Sequence, residues 1–392
     1  MKNLYDDNEA KGYEGDLALR VYTSNLLGRS DELVLHGGGN TSVKIHENGE
    51  DILYVKGSGW DLVSIEKEGF APVRLDVLIQ MAQRDSLSDT DMVKEQKEAM
   101  TNKQAPSPSV EAILHAIIPF KFIDHTHSDA VVTISNSVNG QADIAEVYKD
   151  YLIIPYVMPG FILAKEIYER TKDIDWSAYK GIILHNHGIF TYDDNAKNAY
   201  TKMIDSVTLA EDFLSENAGL DFGVDTRVRT FDVDFLLDEI EARKGHKLAY
   251  QVNQSSVALH YANQPNLEKF ATRGVLTPEH IIRTKRKPLV IIDADMLDRE
   301  LHNYEQDYIE YFDKYKTTQT RLNTAPNYAV VQGFGVICFG KNEKEASIIS
   351  DIVEHTMLAV LRADKLGGYV SIDEKDSFEM EYWELEQNKL KA

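Results

Sequence analysis

Residues 181–199 read GIILHNHGIFTYDDNAKNA. A short β-branched run is broken at His185-Asn186-His187-Gly188, resumes as a second extended run, and ends in a turn that opens a helical pattern. From Asn195 to Leu214 the residues Met203, Val207, Ala210 and Leu214 fall on one helical stripe, so the stretch predicts strand, turn, strand and helix. The plan recurs at residues 329–346, AVVQGFGVICFGKNEKEA, with Gly335 standing under Gly188 and Ala346 under Ala199, an offset of 147 residues. Two related halves are the reading this supports, and generic strand-turn-helix patterning is the alternative. Phe334 falls where His187 stands, so a second copy would lack that polar group and be structural or regulatory rather than catalytic.

Outward from this unit, strand and helix patterns alternate. Asp16 to Leu27 carries Ala18, Val21, Tyr22 and Leu26 at helical spacing, with Gly28 as a stop. Residues 32–62 read as consecutive short strands separated by glycines and by the turn Glu47-Asn48-Gly49. The polar stretch 86–103 predicts exposed helix and loop. Ser109 to Ile118 looks helical, Phe122 to His127 and Val131 to Ser135 extended, and Phe161 to Arg170 helical after Pro155 and Pro159. The expected class is α/β, with one domain over residues 1–222 and a C-terminal α/β domain over 223–392.

A chain of 392 residues has room for two domains. Its net charge of −22 disfavours nucleic acid and anionic membranes as partners, because both are held through Lys and Arg. No apolar run approaches the roughly 18 residues of a membrane helix, and the acidic start MKNLYDDNEAKGYEGD lacks the order of a secretory signal, so the expected location is cytoplasmic. Cys338, the only cysteine, sits in the apolar run VICF and suits a buried thiol. The basic run Arg283, Lys285, Arg286 and Lys287 reads as a solvated face, or else as a grip on phosphate or a neighbouring subunit.

Chemistry concentrates on a few side chains. His125-Thr126-His127 ends an extended run, where alternation sends both imidazoles to one face. Glu111 follows Pro-Ser-Pro-Ser-Val at the start of a helix, and His187 precedes Gly188 in a strand break. Three imidazoles and a carboxylate suit one divalent ion of borderline softness such as Zn2+, bound at about 2.0–2.2 Å. His36, His46, His115 and His185 taken singly read as ordinary hydrogen-bonded residues, though His185 has the spacing to replace or support His187. Three loops, residues 37–42, 56–59 and 107–109, carry Gly and Ser that either cradle a phosphate or simply make turns. Gly333-Phe334-Gly335 leads into a strand and so is no dinucleotide fingerprint, and no nucleophile elbow accompanies His36-Gly37-Gly38-Gly39.

The segments GGGNTSVK, VKGSGWDL, PSPSVEAILHA, DHTHSDA and LHNHGIF, in that order over residues 14–217, resemble the class II aldolase/adducin family. That family includes fuculose- and rhamnulose-phosphate aldolases and ribulose-phosphate 4-epimerase. The resemblance implies an αβα layered fold around a central, mainly antiparallel sheet. It implies metal ligands His125, His127 and His187, with Glu111 as a ligand that swings away to act as base. It further implies a phosphate cradle of Asn40, Ser58, Gly59 and Ser109, and Tyr148 as acid; Val110 stands where the short aldolases have a second serine. GVLTPEHIIRTKRKPLV and EMEYWELEQNKL are similar to a long subgroup fused to a short-chain dehydrogenase, which implies a separate oxidoreductase partner. Homo-oligomers, commonly tetramers, are the family's habit.

The implied function is a metal-dependent lyase of carbohydrate metabolism, an aldolase acting on a ketose phosphate. Breaking the bond beta to a ketone leaves an enediolate, which a divalent cation stabilises. The rivals are a sugar-phosphate 4-epimerase, which recombines the same fragments, and a non-catalytic adducin-like binding module, which predicts lost ligands.

Overall fold

The computed structural model describes residues 1–36, 38–222 and 228–389. They form two compact units, one comprising Met1–Ser135 and Gln141–Phe213, the other Asn136–Gly140 and Leu214–Ala392. The expected boundary after residue 222 borders residues 223–227, which lie outside the described ones.

In the first unit, strands β1 (Asn40–Glu47), β2 (Glu50–Lys56), β3 (Phe70–Arg74), β4 (Phe122–Thr126), β5 (Leu152–Ile154), β6 (Gly181–Leu184) and β7 (Gly188–Asp193) form one sheet ordered β3-β2-β1-β4-β7-β6-β5. Only the β5–β6 pair is parallel, so the sheet is mainly antiparallel, as the family resemblance implies. Asn48 and Gly49, at φ 52° and 82°, join β1 to β2 as a two-residue hairpin turn whose positive φ angles suit these two residue types.

Helices cover both faces. Against one, Ile123, Ile182 and Phe190 meet Leu114, Leu163 and Ile167 from the helices Ala112–Ile117 and Phe161–Thr171. Against the other, Val43 and Phe122 meet Leu17 and Ala199 from the helices Asp16–Gly28 and Ala196–Asn217. One expectation fails: Val131 to Ser135 is not extended but lies in the helix Asp129–Ser135. These residues are all buried, and a fully buried run shows no polar alternation, so β-branched composition alone misassigns it.

The second unit holds β8 (Ala249–Asn253), β9 (Leu289–Ile291), β10 (Tyr328–Val331) and β11 (Gly335–Gly340), ordered β8-β11-β10-β9. This repeats β4-β7-β6-β5 of the first sheet strand for strand, including the parallel edge pair. Registers match residue by residue: Thr126 faces Ile189 as Asn253 faces Val336, and Ile154 faces Leu184 as Ile291 faces Val331. Asn195 and Asn342 occupy equivalent positions and each accepts a backbone N–H at the start of the following long helix. The correspondence puts Val252, Gln254 and Phe334 where the first sheet has His125, His127 and His187, and Gln254 donates to the Phe334 carbonyl at 3.0 Å.

The basic run is not a solvated face. Arg283 reaches Glu345, Arg286 reaches Glu374 at 3.3 Å, Lys287 reaches Asp307 at 2.9 Å, and Lys285 is buried over the Tyr308 ring at 3.5 Å. Each cation has a partner inside its own unit. Cys338 is free and fully buried. Among the described residues, no helix is long and apolar enough to cross a membrane.

Candidate metal centre

β4 lies between β1 and β7 and delivers His125, with His127 one residue past its end. His125 Nδ1 donates to the Ile189 carbonyl at 3.0 Å, which leaves the lone pair of a neutral ring on Nε2. Phe190 stacks on that imidazole at 3.9 Å and 11° and fixes its plane. Burial pushes the His125 pKa well below its ordinary value, so the ring presents a lone pair rather than a proton. His187 sits in the turn between β6 and β7 after Asn186, whose left-handed backbone (φ 56°) is anchored by its N–H on Ser135 Oγ at 3.1 Å. Glu111 leads into the helix Ala112–Ile117.

These four side chains converge. His125 Nε2 lies 3.0 Å from His127 Nε2 and 3.5 Å from Glu111 Oε2, and His187 Nε2 lies 3.6 Å from Glu111 Oε1. The three histidine ligand atoms all stand within 4.8 Å of one another. Donors around a tetrahedral ion at about 2.1 Å would stand roughly 3.4 Å apart. The close contacts here, 3.0 to 3.6 Å, bracket that spacing. Glu111 Oε1 is buried without a hydrogen-bond partner, a costly state for a carboxylate oxygen that a bound cation relieves. Burial works against the Glu111 charge, but the imidazoles of His125, His187 and His127 and the Asn40 amide together hold its pKa down to about 2. The donor set therefore fits a divalent metal of borderline softness.

Asn40 enters the cluster directly. Its side chain donates to Glu111 Oε2 at 2.6 Å and to Ser109 Oγ at 3.3 Å. Gly39, at φ +68°, permits this approach, because a Cβ there would lie 2.6 Å from the His125 carbonyl oxygen. The second and third loops also meet: Gly57 pairs with Pro108, Ser58 N–H donates to the Ser107 carbonyl at 2.8 Å, and Ser109 N–H donates to that of Lys56 at 3.1 Å. Those two backbone donors join the loops to each other and so do not point at an anion. Ser58 and Gly59 remain exposed beside them. Val110 packs half-buried against the apolar core, and Gly37 lies outside the described residues.

One expectation is not met. Tyr148 is fully buried, and its hydroxyl donates to the Ser206 carbonyl at 2.9 Å, so it fastens its turn to the helix Ala196–Asn217 and has no proton facing a substrate. His185, whose spacing allowed it to replace or support His187, lies outside the group that could share one ion, which among the described residues is His125, His127 and His187. Conversely, the structure adds His115 and Ser42. His115 Nε2 meets Asn40 Oδ1, and its Nδ1 lies 2.8 Å from Ser42 Oγ. The i, i+4 spacing of Glu111 and His115 was the available signal, since it places both on one helix face.

Residues 19–214 match the family described as Class II Aldolase and Adducin N-terminal domain, and residues 233–390 match Aldolase class II, second domain. The structure of the N-terminal class II aldolase domain of a conserved protein from Thermoplasma acidophilum is 40% identical, with a TM-score of 0.50, covering 55% of this chain and 99% of that one. A Bacillus subtilis (strain 168) protein named "Uncharacterized oxidoreductase YuxG" is 27% identical across all of this chain. The present chain spans 60% of that relative's length.

Proposed function

The chain belongs to the class II aldolase and adducin family, and from that premise we propose that it is a metal-dependent aldehyde-lyase that makes or breaks a carbon–carbon bond in a ketose phosphate. The observation that carries this reading is the cluster of His125, His127 and His187, whose ligand atoms all lie within 4.8 Å of one another, with Glu111 3.5 Å from His125 and 3.6 Å from His187. A scaffold or binding module would have no need of four such donors, one of them an ionised carboxylate held in the interior.

A bound divalent cation, most simply Zn2+, supplies an electrophile that draws off the electron pair released when the bond beta to a carbonyl breaks. The protein's own groups do the rest. His125, oriented by the Ile189 carbonyl and Phe190, would hold the ion through its Nε2 lone pair. Glu111, ionised at neutral pH, would swing away from the ion, accept the proton of the substrate hydroxyl on Oε1, the oxygen without a hydrogen-bond partner, as the carbon–carbon bond breaks, and return it to the carbon that keeps the electron pair, with the Asn40 amide as its partner. The hydroxyls of Ser58 and Ser109, with the Gly59 backbone, receive the substrate phosphate beside the ion. The loop residues at one end and the residues that would hold the ion at the other would fix one small sugar between them, and such positioning lowers the barrier by orienting the reacting groups.

A homo-oligomer, tetrameric by family habit, and a separate short-chain dehydrogenase partner belong to the same reading. The dehydrogenase is supported by the oxidoreductase name of the longer Bacillus relative, whose length exceeds what this chain spans. Metal analysis of the purified chain, followed by a screen of ketose 1-phosphates with detection of free aldehyde, tests the proposal. Metal with released aldehyde supports the lyase. Inverted sugar without free aldehyde supports the epimerase, and a metal-free protein that turns over nothing would leave the binding module.

A further inference from the structure

The two oxygens of Glu111 meet different surroundings. Oε1 lies towards His187 with no hydrogen-bond partner, whereas Oε2 accepts the Asn40 amide at 2.6 Å. The far end of that amide, Oδ1, meets His115 Nε2, and His115 Nδ1 meets Ser42 Oγ at 2.8 Å. Ser42, Asn40 and His115 are all buried, so water does not readily substitute for any member of the chain.

The direction of every proton in this chain follows from its end. An ionised carboxylate only accepts, so Asn40 must present Nδ2 to Glu111. Its Oδ1 then only accepts, so His115 Nε2 must carry a proton. A neutral ring has its lone pair on the other nitrogen, and the Ser42 hydroxyl donates to it. Burial pushes His115 down to about 3, which keeps the ring neutral, and its two hydrogen bonds select the tautomer. Turning the Asn40 amide over would set its carbonyl oxygen against the carboxylate and its NH2 against the N–H of His115, and both contacts would repel.

We propose that His115 is a positioning residue: by donating to Asn40 Oδ1 it holds the amide with its NH2 on Glu111 Oε2, which leaves Oε1 for the metal and the reacting proton. The inference rests on the metal-centre reading given above. His115 touches neither ion nor substrate, and acts only by telling the amide which way to face. Groups that orient a metal-ligating side chain in this manner typically change metal affinity by about 10- to 100-fold when altered.

Two near-isosteric substitutions separate this role from simple packing. In His115→Gln the terminal NH2 reaches the Nε2 position and still donates to Asn40. In His115→Asn the shorter amide stops near Nδ1, keeps a partner for Ser42, and leaves Asn40 without its donor. The full chain, stripped of metal, is titrated with Zn2+ by calorimetry and with Co2+ by its visible absorption, alongside a His125→Ala control. The expected result is a loss of about 10- to 100-fold in affinity for His115→Asn with an altered cobalt spectrum, and near wild-type behaviour for His115→Gln. Equal affinities for the two variants would overturn the positioning role while leaving the metal site standing. A wild type that binds no more tightly than His125→Ala would overturn both. Nitrogen NMR of the His115 ring in the unmutated chain gives a reading that no folding defect can obscure: the Nε2–H tautomer is expected, and the Nδ1–H tautomer sinks the idea.

Discussion

Arg20 and Asp124 form an ion pair in which NH2 lies 2.5 Å from Oδ1 and neither side chain is exposed to solvent. Asp124 neighbours His125 on β4, and alternation sends the two side chains to opposite faces of the sheet. The guanidinium also donates to Thr23 Oγ1 at 2.6 Å and to the Ile123 carbonyl at 3.3 Å, so one buried group ties the helix Asp16–Gly28 to the strand that carries the ligands. Asp124→Ala strands a charged guanidinium in the interior and should destabilise the chain by about 3–5 kcal/mol in denaturant unfolding. Adding Arg20→Met should restore most of that loss, because the uncompensated charge is then gone. A single-variant loss below about 1 kcal/mol would mean the pair is not shielded as described.

Gly188 and Gly335 hold equivalent places in the two sheets and invite a paired substitution. A Cβ on Gly188 would lie 2.4 Å from the Thr126 carbonyl oxygen, and one on Gly335 would lie 2.5 Å from that of Asn253, the equivalent residue. The requirement for glycine is therefore architectural, a close approach of neighbouring strands found in both sheets. Only Gly188 also faces ligands, since its Cβ would stand 3.1 Å from both His125 Cε1 and His127 Cδ2. Both alanine variants should lower the melting temperature, but only Gly188→Ala should weaken Zn2+ binding. Equal metal affinity in the two would show that the strand shift does not reach the imidazoles.

The same comparison explains what could be read from the chain itself. Local patterns sufficed for the strand-turn-helix repeat, because alternation, glycine and the capping asparagines Asn195 and Asn342 act over a few residues. They sufficed for the His125 and His127 pair too, since residues two apart on a strand share a face. What failed depended on distant partners. Tyr148 is committed to Ser206, Lys285 to the Tyr308 ring, and Val131 to Ser135 to a helix buried all round, none of which leaves a mark in the flanking sequence. The Asn40 to His115 contact joins two motifs that were legible separately and whose meeting required β1 beside β4.

His115 also makes a prediction for acid stability. Its pKa is brought down to about 3 by burial, below the ordinary value of 6.5. In this window the unfolded chain takes up a proton that the folded chain refuses, so stability contributed by the neutral ring is whole above pH 6.5 and falls as pH drops towards the folded value. One proton corresponds to a slope of about 1.4 kcal/mol per pH unit. The difference in unfolding free energy between the wild type and His115→Gln should therefore shrink as pH is lowered from 6.5, moving in favour of the variant. A difference independent of pH between 6.5 and 4 would show that His115 titrates in the folded chain as it does in water.

Metal removal provides the test on which the site reading turns. Burial of these donors in the folded chain comes at a cost, and a cation binding only the folded form offsets it by mass action, contributing about 2.7 kcal/mol at a hundredfold excess over its dissociation constant. Zn2+ should accordingly raise the melting temperature of the metal-stripped wild type, and a chelator should reverse the rise. His125→Ala and Glu111→Ala each remove a donor within 3.6 Å of its neighbours, and should show little or no response to the ion. Glu111→Ala should also melt below the metal-stripped wild type at neutral pH, because a carboxylate whose pKa is lowered to about 2 contributes stability there and the Asn40 amide loses its acceptor. A metal-dependent rise of the same size in wild type and His125→Ala would place the stabilising cation elsewhere on the acidic surface, and the cluster would lose its claim to be the metal centre.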